Sequence, residues 1–514
     1  MLVTLLSACC VCLHAACRHG RSYRAAMEVE DALLEKEKIH KETFVGPDDV
    51  LDELGAKNAY IIYIFMAMGF AWFVAAPHTM IGAFINESDD SHCYYNSTDC
   101  FPTISIKSEF ELHGDLSSMP AASVSAGIIG DMFGGFILSA ISDRFGRKLT
   151  VCLACISIGT LGTLSAFSPN IYVFISMKFL QGAFFSGLTL VNWVLSYESI
   201  PHSIRSYSSI VFGAMWVLGY CALSPIAYYV HDWRWMTAVT SIPSAVAGII
   251  YYLTIPESFH FLASKRDLSK VKKWMKTTES FGKQKLTITA EQLLDDMAIT
   301  HPQDDDEDKN GPSFIDGVKE LLSNRTLMVN LSVMAYLWVC NAFVYYALSL
   351  FSTALAGNRY VNYVLIGLVE LPAYIIMPYL LDTFGRRKVV CICHATIGIS
   401  LLAVMFLPSD SVYLKLTLWL IAKGAVSASF NSIFIYSSEV FPTTYRNFCI
   451  GLCSITSKFM NIFAPHVGAL DAIDPRIPLL FYGFLGITSS LLTLMLPETL
   501  NRPLPSTLSD VQEN

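Results

Sequence analysis

Charged residues are scarce in this 514-residue sequence, at 15% of all positions, whereas soluble globular domains carry about 25%. Hydrophobic residues make up 53% of the chain, and the mean hydropathy is +0.46. A soluble fold of this length would not bury so much apolar surface. The composition therefore excludes an ordinary soluble enzyme or soluble binding domain.

Motifs for nucleotide and metal chemistry are also missing. The sequence has no Gly-x-x-x-x-Gly-Lys-Ser/Thr loop, which an ATP-driven pump would require. Its fourteen cysteines lie mostly in apolar stretches without a cluster of histidines or carboxylates beside them, which indicates packed thiols and no metal site. We therefore expect no cofactor, no catalytic residues and no nucleic-acid partner.

Long apolar runs are what the sequence has in abundance. Each is about the 20 residues that a helix needs to cross the hydrocarbon core, and helices satisfy their own backbone groups in lipid. The sequence predicts an all-α membrane protein with twelve spans in the lipid bilayer, near 59–84, 120–142, 149–168, 171–197, 208–230, 236–255, 326–350, 361–381, 389–407, 412–436, 447–469 and 477–496.

The basic residues are concentrated in a few short loops. Basic turns lie at 143–148 and 382–388, and eight Lys or Arg lie between Lys265 and Lys285. Because Lys and Arg near span ends mark the cytoplasmic side, we expect these loops and both chain termini to be cytoplasmic.

The loop at 85–119 has the opposite character. It holds two glycosylation sequons, at Asn86 and Asn96, and a pair of cysteines, Cys93 and Cys100. Since disulfides persist outside the cell, we predict that this loop is external, glycosylated at both asparagines and closed by a Cys93–Cys100 disulfide. The protein would then follow the secretory route to a membrane, and the plasma membrane is the expected destination.

The first 26 residues do not fit a signal peptide, because their apolar stretch precedes its arginines instead of following them. We interpret 1–26 as a dispensable extension ahead of an internal start at Met27. Palmitoylation of its cysteines is an alternative.

Three motifs recur along the chain at almost one offset. The acid and basic cluster at Asp143 returns at Asp382 after 239 residues, Glu198 with Arg205 returns as Glu439 with Arg446 after 241, and Pro256-Glu257-Ser258 returns as Pro497-Glu498-Thr499 after 241. Repeats in one order at one spacing indicate two homologous halves. The predicted organisation is a cytoplasmic segment 1–58, a six-helix half 59–262, a cytoplasmic linker 263–325, a second six-helix half 326–499 and a tail 500–514.

The linker is basic first and acidic from Glu291 onward. We interpret the acidic run as a solvated flexible tether, with a docking surface as the alternative.

The repeated motifs place acids and bases at the cytoplasmic ends of spans. Breaking and re-forming ion pairs there would hold and release one face of a rocking bundle. The alternative is that they are only topology signals, because exposed pairs contribute about 0–1 kcal/mol each. The predicted gate residues are Asp143, Arg144, Arg147, Glu198, Arg205, Asp382, Arg386, Glu439 and Arg446.

Several longer motifs point to one family. The chain resembles the organic cation, carnitine and organic anion branch of the major facilitator superfamily in its order of motifs from about residue 48 to 505. These motifs include Lys178-Phe-Leu-Gln-Gly182, Asp232-Trp-Arg234, Tyr345-Tyr-Ala-Leu-Ser349, Val369-Glu-Leu-Pro-Ala-Tyr374 and Glu439-Val-Phe-Pro-Thr443. The resemblance implies a transporter of small organic ions that works by alternating access, with its substrate site between the halves.

The chain also departs from the family pattern. Ser139 replaces a glycine of the first loop motif, and Phe259 and His260 replace Pro-Arg after Pro256-Glu257-Ser258. The serine at position 139 puts the tightness of the first loop contact in doubt.

Ionisable residues inside spans are costly and mark functional sites. Lys458 lies twelve residues after Arg446, where by resemblance cation carriers have an acid and carriers of anions or zwitterions have a base. We therefore expect an anionic or zwitterionic substrate, such as an organic acid or a carnitine-like betaine. The alternative is that Lys458 pairs internally with Glu370 or Asp131 and holds the halves together.

A betaine would also need an aromatic cage or an acid for its ammonium group. The predicted substrate-binding residues are Lys458, Tyr345, Tyr346, Phe343, Trp216, Lys423 and Glu370, with Trp193 as a further aromatic and Lys178 as a further base. Neither a proton nor a sodium ion is indicated as the coupling ion.

Three other functions stay open at this point. An organic cation transporter would use Lys458 only structurally. A sugar or polyol porter would share the Pro-Glu-Ser and Pro-Glu-Thr ends, but this chain has Met334 and Ala335 where such porters carry glutamines. A non-transporting receptor could use the same scaffold, because fold does not determine function.

Overall fold

A computed structural model describes residues 46–86, 104–300, 324–502 and 505, except positions 206, 284, 356, 409, 444, 469, 471, 472 and 475. Within these residues the prediction of twelve spans is confirmed. The helices long and apolar enough to cross a membrane are α1 (Ala59–Ile85), α2 (Gly114–Phe145), α3 (Arg147–Ser165), α4 (Ile171–Tyr197), α5 (Ser208–Tyr229), α6 (Trp233–Thr254), α7 (Arg325–Thr353), α8 (Arg359–Phe384), α9 (Arg386–Met405), α10 (Val412–Val440), α11 (Arg446–Val467) and α12 (Arg476–Thr493).

Several spans are interrupted. α8 consists of Arg359–Leu368 and Glu370–Phe384, and α11 of Arg446–Asn461 and Ala464–Val467. α4 contains a π-helical turn at Gly187–Val191. Such turns occur often at functional sites, and here the turn directly follows Ser186, whose side chain bonds to the neighbouring helix α2.

Helices α2 and α4 pack closely because small residues line their contact. A Cβ atom on Gly134 would lie 1.8 Å from the carbonyl oxygen of Ala183, and one on Gly182 would lie 2.0 Å from that of Gly127. Small residues let backbones approach in membrane helix pairs. The backbones of α2 and α4 are therefore in direct contact at these glycines.

The two faces of the bundle differ in what they carry. We call the surface with the turns at Gly146 and Gly385 the basic face, and the surface with the start of α2 and α6 the opposite face. On the basic face lie the helices Pro47–Leu54, Phe259–Ser264, Leu268–Gly282 and Ala290–Thr300.

The acidic part of the linker is not a tether where the structure describes it. Glu291 belongs to the helix Ala290–Thr300, and the side chains of Ala290 and Leu293 are buried. The helix forms because these apolar residues pack with Val271 and Trp274 of the preceding helix. The acidic run 304–308 lies outside the described residues.

Candidate functional site

A cavity of about 250 Å³ lies between the two sets of six helices. Helices α1, α2 and α4 form one wall and helices α7, α10 and α11 form the other. The charged side chains among its lining residues are Asp131, Lys178 and Lys458, together with the imidazole of His78. The lining is mostly apolar with a few polar and charged groups, as in sites that bind small molecules between helices of a bundle.

Lys458 of α11 and Asp131 of α2 form an ion pair across this cavity. Lys458 Nζ lies 2.7 Å from Asp131 Oδ2, and the side chains are 33% and 19% exposed. The Ser186 hydroxyl donates a short hydrogen bond to Asp131 Oδ1. Of the internal partners considered for Lys458, the structure therefore shows Asp131 and places the pair within reach of cavity solvent.

A chain of polar side chains continues along the same wall. Lys178 Nζ donates to Gln181 Oε1 at 3.1 Å, Gln181 Nε2 lies 3.0 Å from His78 Nδ1, and His78 Nε2 lies 2.7 Å from Ser244 Oγ. These described partners of Lys178 are neutral, so its ammonium adds a positive charge to the cavity that Asp131 does not cancel.

The facing wall is largely aromatic. Tyr346, Phe430, Phe434 and Trp338 line it. The Trp338 indole donates to Ser437 Oγ at 2.9 Å and packs edge-on against Phe434, with ring centroids 4.5 Å apart. The cavity thus offers both charges and ring faces to a ligand.

A second intramembrane ion pair is sealed off. Lys423 Nζ lies 3.0 Å from Glu370 Oε1, and both side chains have 0% exposure. Lys423 also donates to Ser349 Oγ at 2.6 Å and lies over the Tyr345 ring. Because these contacts come from three helices, the pair is a structural junction of α7, α8 and α10 as well as a charge site.

The predicted binding residues therefore divide into two groups. Lys458 and Tyr346 line the cavity, whereas Tyr345, Glu370 and Lys423 form the sealed network. Trp216 Nε1 donates to Tyr345 Oη at 2.9 Å, which links this network to α5. Phe343 packs on Phe481 and Tyr482, and Trp193 packs on Trp72 and Tyr197.

Sequence reasoning missed the ligand-facing positions of Gln181, Ser457 and Asn461. All three line the cavity. They are uncharged, so the search for ionisable residues passed over them. For Gln181 and Asn461 the available signal was the three-residue spacing from Lys178 and Lys458 on the same helices.

Hydrogen bonds join the two sides of the cavity toward the opposite face. Ser125 Oγ donates to the carbonyl of Ile462 at 2.5 Å and lies 3.1 Å from His466 Nε2. Thr353 Oγ1 donates to the carbonyl of Ala83, and Ser224 Oγ to that of Tyr360, both at 2.9 Å. These bonds close the bundle above the cavity on that face.

The charge clusters on the basic face have matching geometry in the two halves. Arg147 contacts Asp143 at 3.2 Å and Glu198 at 3.0 Å, and Arg386 contacts Asp382 and Glu439 at the same distances. Both of these clusters stay within one half of the chain.

Two further carboxylates complete these clusters and were not among the predicted gate residues. Glu257 accepts from the backbone N–H of Arg147 at 2.8 Å and of Lys148 at 2.9 Å, and Glu498 accepts from that of Arg386 at 2.8 Å. They cap the first turns of α3 and α9. Burial raises the pKa of Glu257, although its backbone hydrogen bonds act in the opposite direction. The repeated Pro-Glu motif was the signal for both.

Arg205 and Arg446 occupy corresponding positions in the two halves but have different contacts. Arg205 pairs with Asp48 of the helix Pro47–Leu54, and His260 Nε2 lies 2.9 Å from the same carboxylate oxygen. Burial alone would raise the pKa of Asp48, but the hydrogen bond from Arg205 and the charge of His260 hold it below its usual value. At Arg446, Nε and Nη2 are buried without a hydrogen-bond partner among the described residues. The Arg144 guanidinium lies over the ring of Phe145.

Asn86 lies where α1 ends, beside the cavity. Asn86 caps the last turn of α1 and lines the cavity, and its Oδ1 is buried without a hydrogen-bond partner among the described residues. An acceptor asparagine must be reachable on a surface loop. Glycosylation of Asn86 stays a prediction, and Asn96, Cys93 and Cys100 lie outside the described residues.

Sequence comparison places this architecture among known transporters. The profile of the sugar (and other) transporter family matches residues 55–507. A Caenorhabditis elegans protein is 34% identical over 466 residues, covering 91% of each chain. The organic cation transporter protein of Drosophila melanogaster is 32% identical over 79% of this chain and 74% of its own length. Organic anion transporter 3 of Oryctolagus cuniculus is 29% identical over 81% of this chain and 75% of its own.

Structural comparison agrees on the fold. The inward-open xylose transporter of E. coli superimposes with a TM-score of 0.63, covering 88% of this chain and 99% of that one, at 17% sequence identity. At that identity the likeness establishes the fold alone.

Proposed function

The chain belongs to the sugar (and other) transporter family of the major facilitator superfamily, in its organic cation and organic anion branch, and from this premise we propose that it carries anionic or zwitterionic organic molecules with their acidic group at Lys458. It is a membrane transporter. The observation that carries it is the placement of Lys458 in a cavity between the halves, 33% exposed and within reach of a ligand.

The charge of the cavity supports an acidic substrate. Two lysines, Lys178 and Lys458, and one acid, Asp131, line it. A cleft with low-dielectric walls and an excess of positive charge concentrates anions. A bare organic cation would meet both ammonium groups and only one carboxylate, which is already paired.

The volume limits the size of the substrate. Pockets for drug-sized ligands are about 300–1,000 Å³, and this cavity is about 250 Å³. A small organic acid or a carnitine-like betaine is the size that fits.

Transport would proceed by rocking of the two halves about this cavity. Opening of the opposite face requires that the bonds of Ser125 to Ile462 and of Thr353 to Ala83 break. The clusters around Arg147 and Arg386 then approach each other on the basic face and form its closure. By the rule that Lys and Arg mark the cytoplasmic side, the basic face is cytoplasmic, and the plasma membrane is the proposed location.

The test is uptake by cells that express the chain. Three radiolabelled probes are compared: a carnitine-like zwitterion, a monocarboxylate and a tetraalkylammonium ion. We expect uptake of the zwitterion or the anion, loss of that uptake in Lys458→Asp, and partial recovery in Lys458→Arg. The matched control is Lys276→Asp, at an exposed lysine of the helix Leu268–Gly282.

Each outcome bears on a different part of the proposal. Uptake of the tetraalkylammonium ion that survives Lys458→Asp would overturn the charge assignment. Absence of uptake of all three probes, with the protein shown at the cell surface, would favour a receptor on a transporter scaffold.

A further inference from the structure

Asp131 occupies an unusual position for an acid, inside α2 and facing the other half of the chain. Its carboxylate is the described acidic group that lines the cavity, and its ammonium partner, Lys458, belongs to α11 of the other half. The pair lies on the seam between α2 and α11, on the side of the Ser125 contact that faces the basic face. The pair therefore lies deeper in the bundle than the Ser125 contact.

Resting on the function proposed above, we infer that Asp131 is a specificity-determining residue that binds the cationic group of a zwitterionic substrate. A zwitterionic substrate carries one negative and one positive group. Lys458 and Asp131 offer each of these groups a side chain of the opposite charge. The substrate's carboxylate replaces Asp131 at Lys458, and its ammonium group replaces Lys458 at Asp131. Two new pairs form for one that breaks, and the net charge of the site is unchanged.

Single-charge substrates cannot make this exchange completely. A simple anion at Lys458 leaves the Asp131 carboxylate unpaired in a partly desolvated cavity, and a simple cation at Asp131 leaves Lys458 unpaired. Removing one partner of such a pair is costly because the remaining charge is left without compensation. The zwitterion alone satisfies both side chains.

The surroundings of Asp131 hold its carboxylate in place for this role. Ser186 donates to Oδ1, which leaves Oδ2 for Lys458 or a ligand. The close contact of α2 with α4 at Gly134 attaches Asp131 firmly to its half. Lys458 is attached to the other half, so a zwitterion bound to both side chains bridges the halves.

The aromatic wall suits the same substrate. Tyr346, Trp338 and Phe430 line the cavity that Asp131 faces. Ring faces near a carboxylate attract alkylammonium groups, and quaternary ammonium ligands are bound by aromatic side chains in this way.

The test uses two probes of the same shape that differ in one charge. 4-(Trimethylammonio)butanoate is the zwitterion, and 5,5-dimethylhexanoate is its isosteric anion, with a carbon in place of the nitrogen. Both are measured as concentration-dependent uptake in cells with the unaltered chain, Asp131→Asn, Asp131→Glu and Lys458→Gln. Surface amounts and size-exclusion profiles of each variant check that it folds.

We expect Asp131→Asn to raise the KM for the zwitterion by about tenfold or more, as loss of one partner of a charge pair does. The KM for the anion should stay the same or fall, because its competitor for Lys458 is gone. Asp131→Glu should keep the preference for the zwitterion.

Equal loss of uptake for both probes in Asp131→Asn, with unchanged KM, would overturn the inference and leave Asp131 a structural partner. Failure of the proposed function shows differently: Lys458→Gln would leave the KM of both probes unchanged. If neither probe is taken up and neither raises the melting temperature of the purified protein, both the function and the inference are overturned.

Discussion

Lys423 Nζ lies 3.0 Å from Glu370 Oε1, with both side chains inaccessible to solvent. Tyr345 and Tyr374 donate to the other carboxylate oxygen of Glu370, at 3.2 and 3.1 Å. The charges are paired inside the second half of the chain, in contrast to the pair of Lys458 with Asp131, which crosses between the halves. The pair of Lys423 with Glu370 is closed off from solvent, whereas the pair of Lys458 with Asp131 is open to the cavity.

This difference predicts how the buried pair responds to substitution. Lys423→Met leaves Glu370 charged and buried, and we expect it to cost about 3–5 kcal/mol of stability. The double variant Lys423→Met with Glu370→Gln should recover most of that loss, because neither charge remains and the amide oxygen still accepts from the tyrosines. The apparent melting temperature of the purified protein in detergent measures both. A double variant as unstable as the single one would contradict this account.

The turns at Gly146 and Gly385 predict a second effect. Their φ angles are +109° and +90°, and an added Cβ would lie 2.3 Å from Glu257 Oε2 and 2.5 Å from Glu498 Oε2. We expect Gly146→Ala and Gly385→Ala each to lower stability by about 1–3 kcal/mol, from backbone strain and the displaced carboxylate.

Gly451 is the matched control for these substitutions. It lies within α11, and among the described residues no atom outside the adjoining helix backbone is within 4 Å of an added Cβ. Gly451→Ala should be neutral or slightly stabilising. Equal melting temperatures for all three variants would show that the capping carboxylates tolerate displacement.

Asp48 predicts a dependence on pH. Burial would raise its pKa, but the hydrogen bond from Arg205 and the charge of His260 outweigh that effect and lower the pKa from its usual value. A lowered pKa means that the carboxylate stabilises the fold above its usual pKa and that this contribution is lost as the pH falls through the lowered value.

Asp48→Asn should therefore lower the apparent melting temperature at pH 7, by the equivalent of at most about 1 kcal/mol because the carboxylate is 49% exposed. The gap between the variant and the unaltered protein should shrink when both are melted below pH 4. A gap that is constant from pH 7 to pH 3 would mean that Asp48 acts through packing alone.

The matching clusters on the basic face predict matching defects. Arg147→Gln and Arg386→Gln each remove contacts to two carboxylates at equal distances, so we expect similar losses of maximal uptake rate with little change in KM. Arg144→Gln tests whether Arg144 belongs to the gate, since its described contact is with the ring of Phe145. A much larger defect at Arg147 than at Arg386 would show that the halves contribute unequally to closure.

The twelve spans were predictable because each is an apolar run long enough to cross the hydrocarbon core, and such runs can be read directly from the sequence. The gate clusters were predictable because the repeat shows the same acids and bases twice. The capping role of Glu257 and Glu498 was not predicted. It depends on how close the chain after α6 and α12 comes to the starts of α3 and α9, and the repeat alone does not specify that distance.

The site was less predictable for the same reason. Lys423 and Lys458 both stand out as bases inside spans, and only three-dimensional packing distinguishes the buried one from the accessible one. Tyr345 and Tyr346 are neighbours in sequence, but they point about a quarter turn apart on the helix. Tyr346 lines the cavity and Tyr345 faces Lys423.

The π-helical turn at Gly187–Val191 has a consequence for how the chain tolerates deletions. A π turn holds one residue more than the α-helical turn it interrupts, and it lies between Ser186 on the cavity side and Glu198 at the basic face. Losing one residue there would convert the turn to regular helix while both ends keep their orientation. In α10, which runs unbroken over Val412–Val440, the same deletion would rotate everything beyond it by about 100°. The fourth span therefore has a spare residue that the tenth does not.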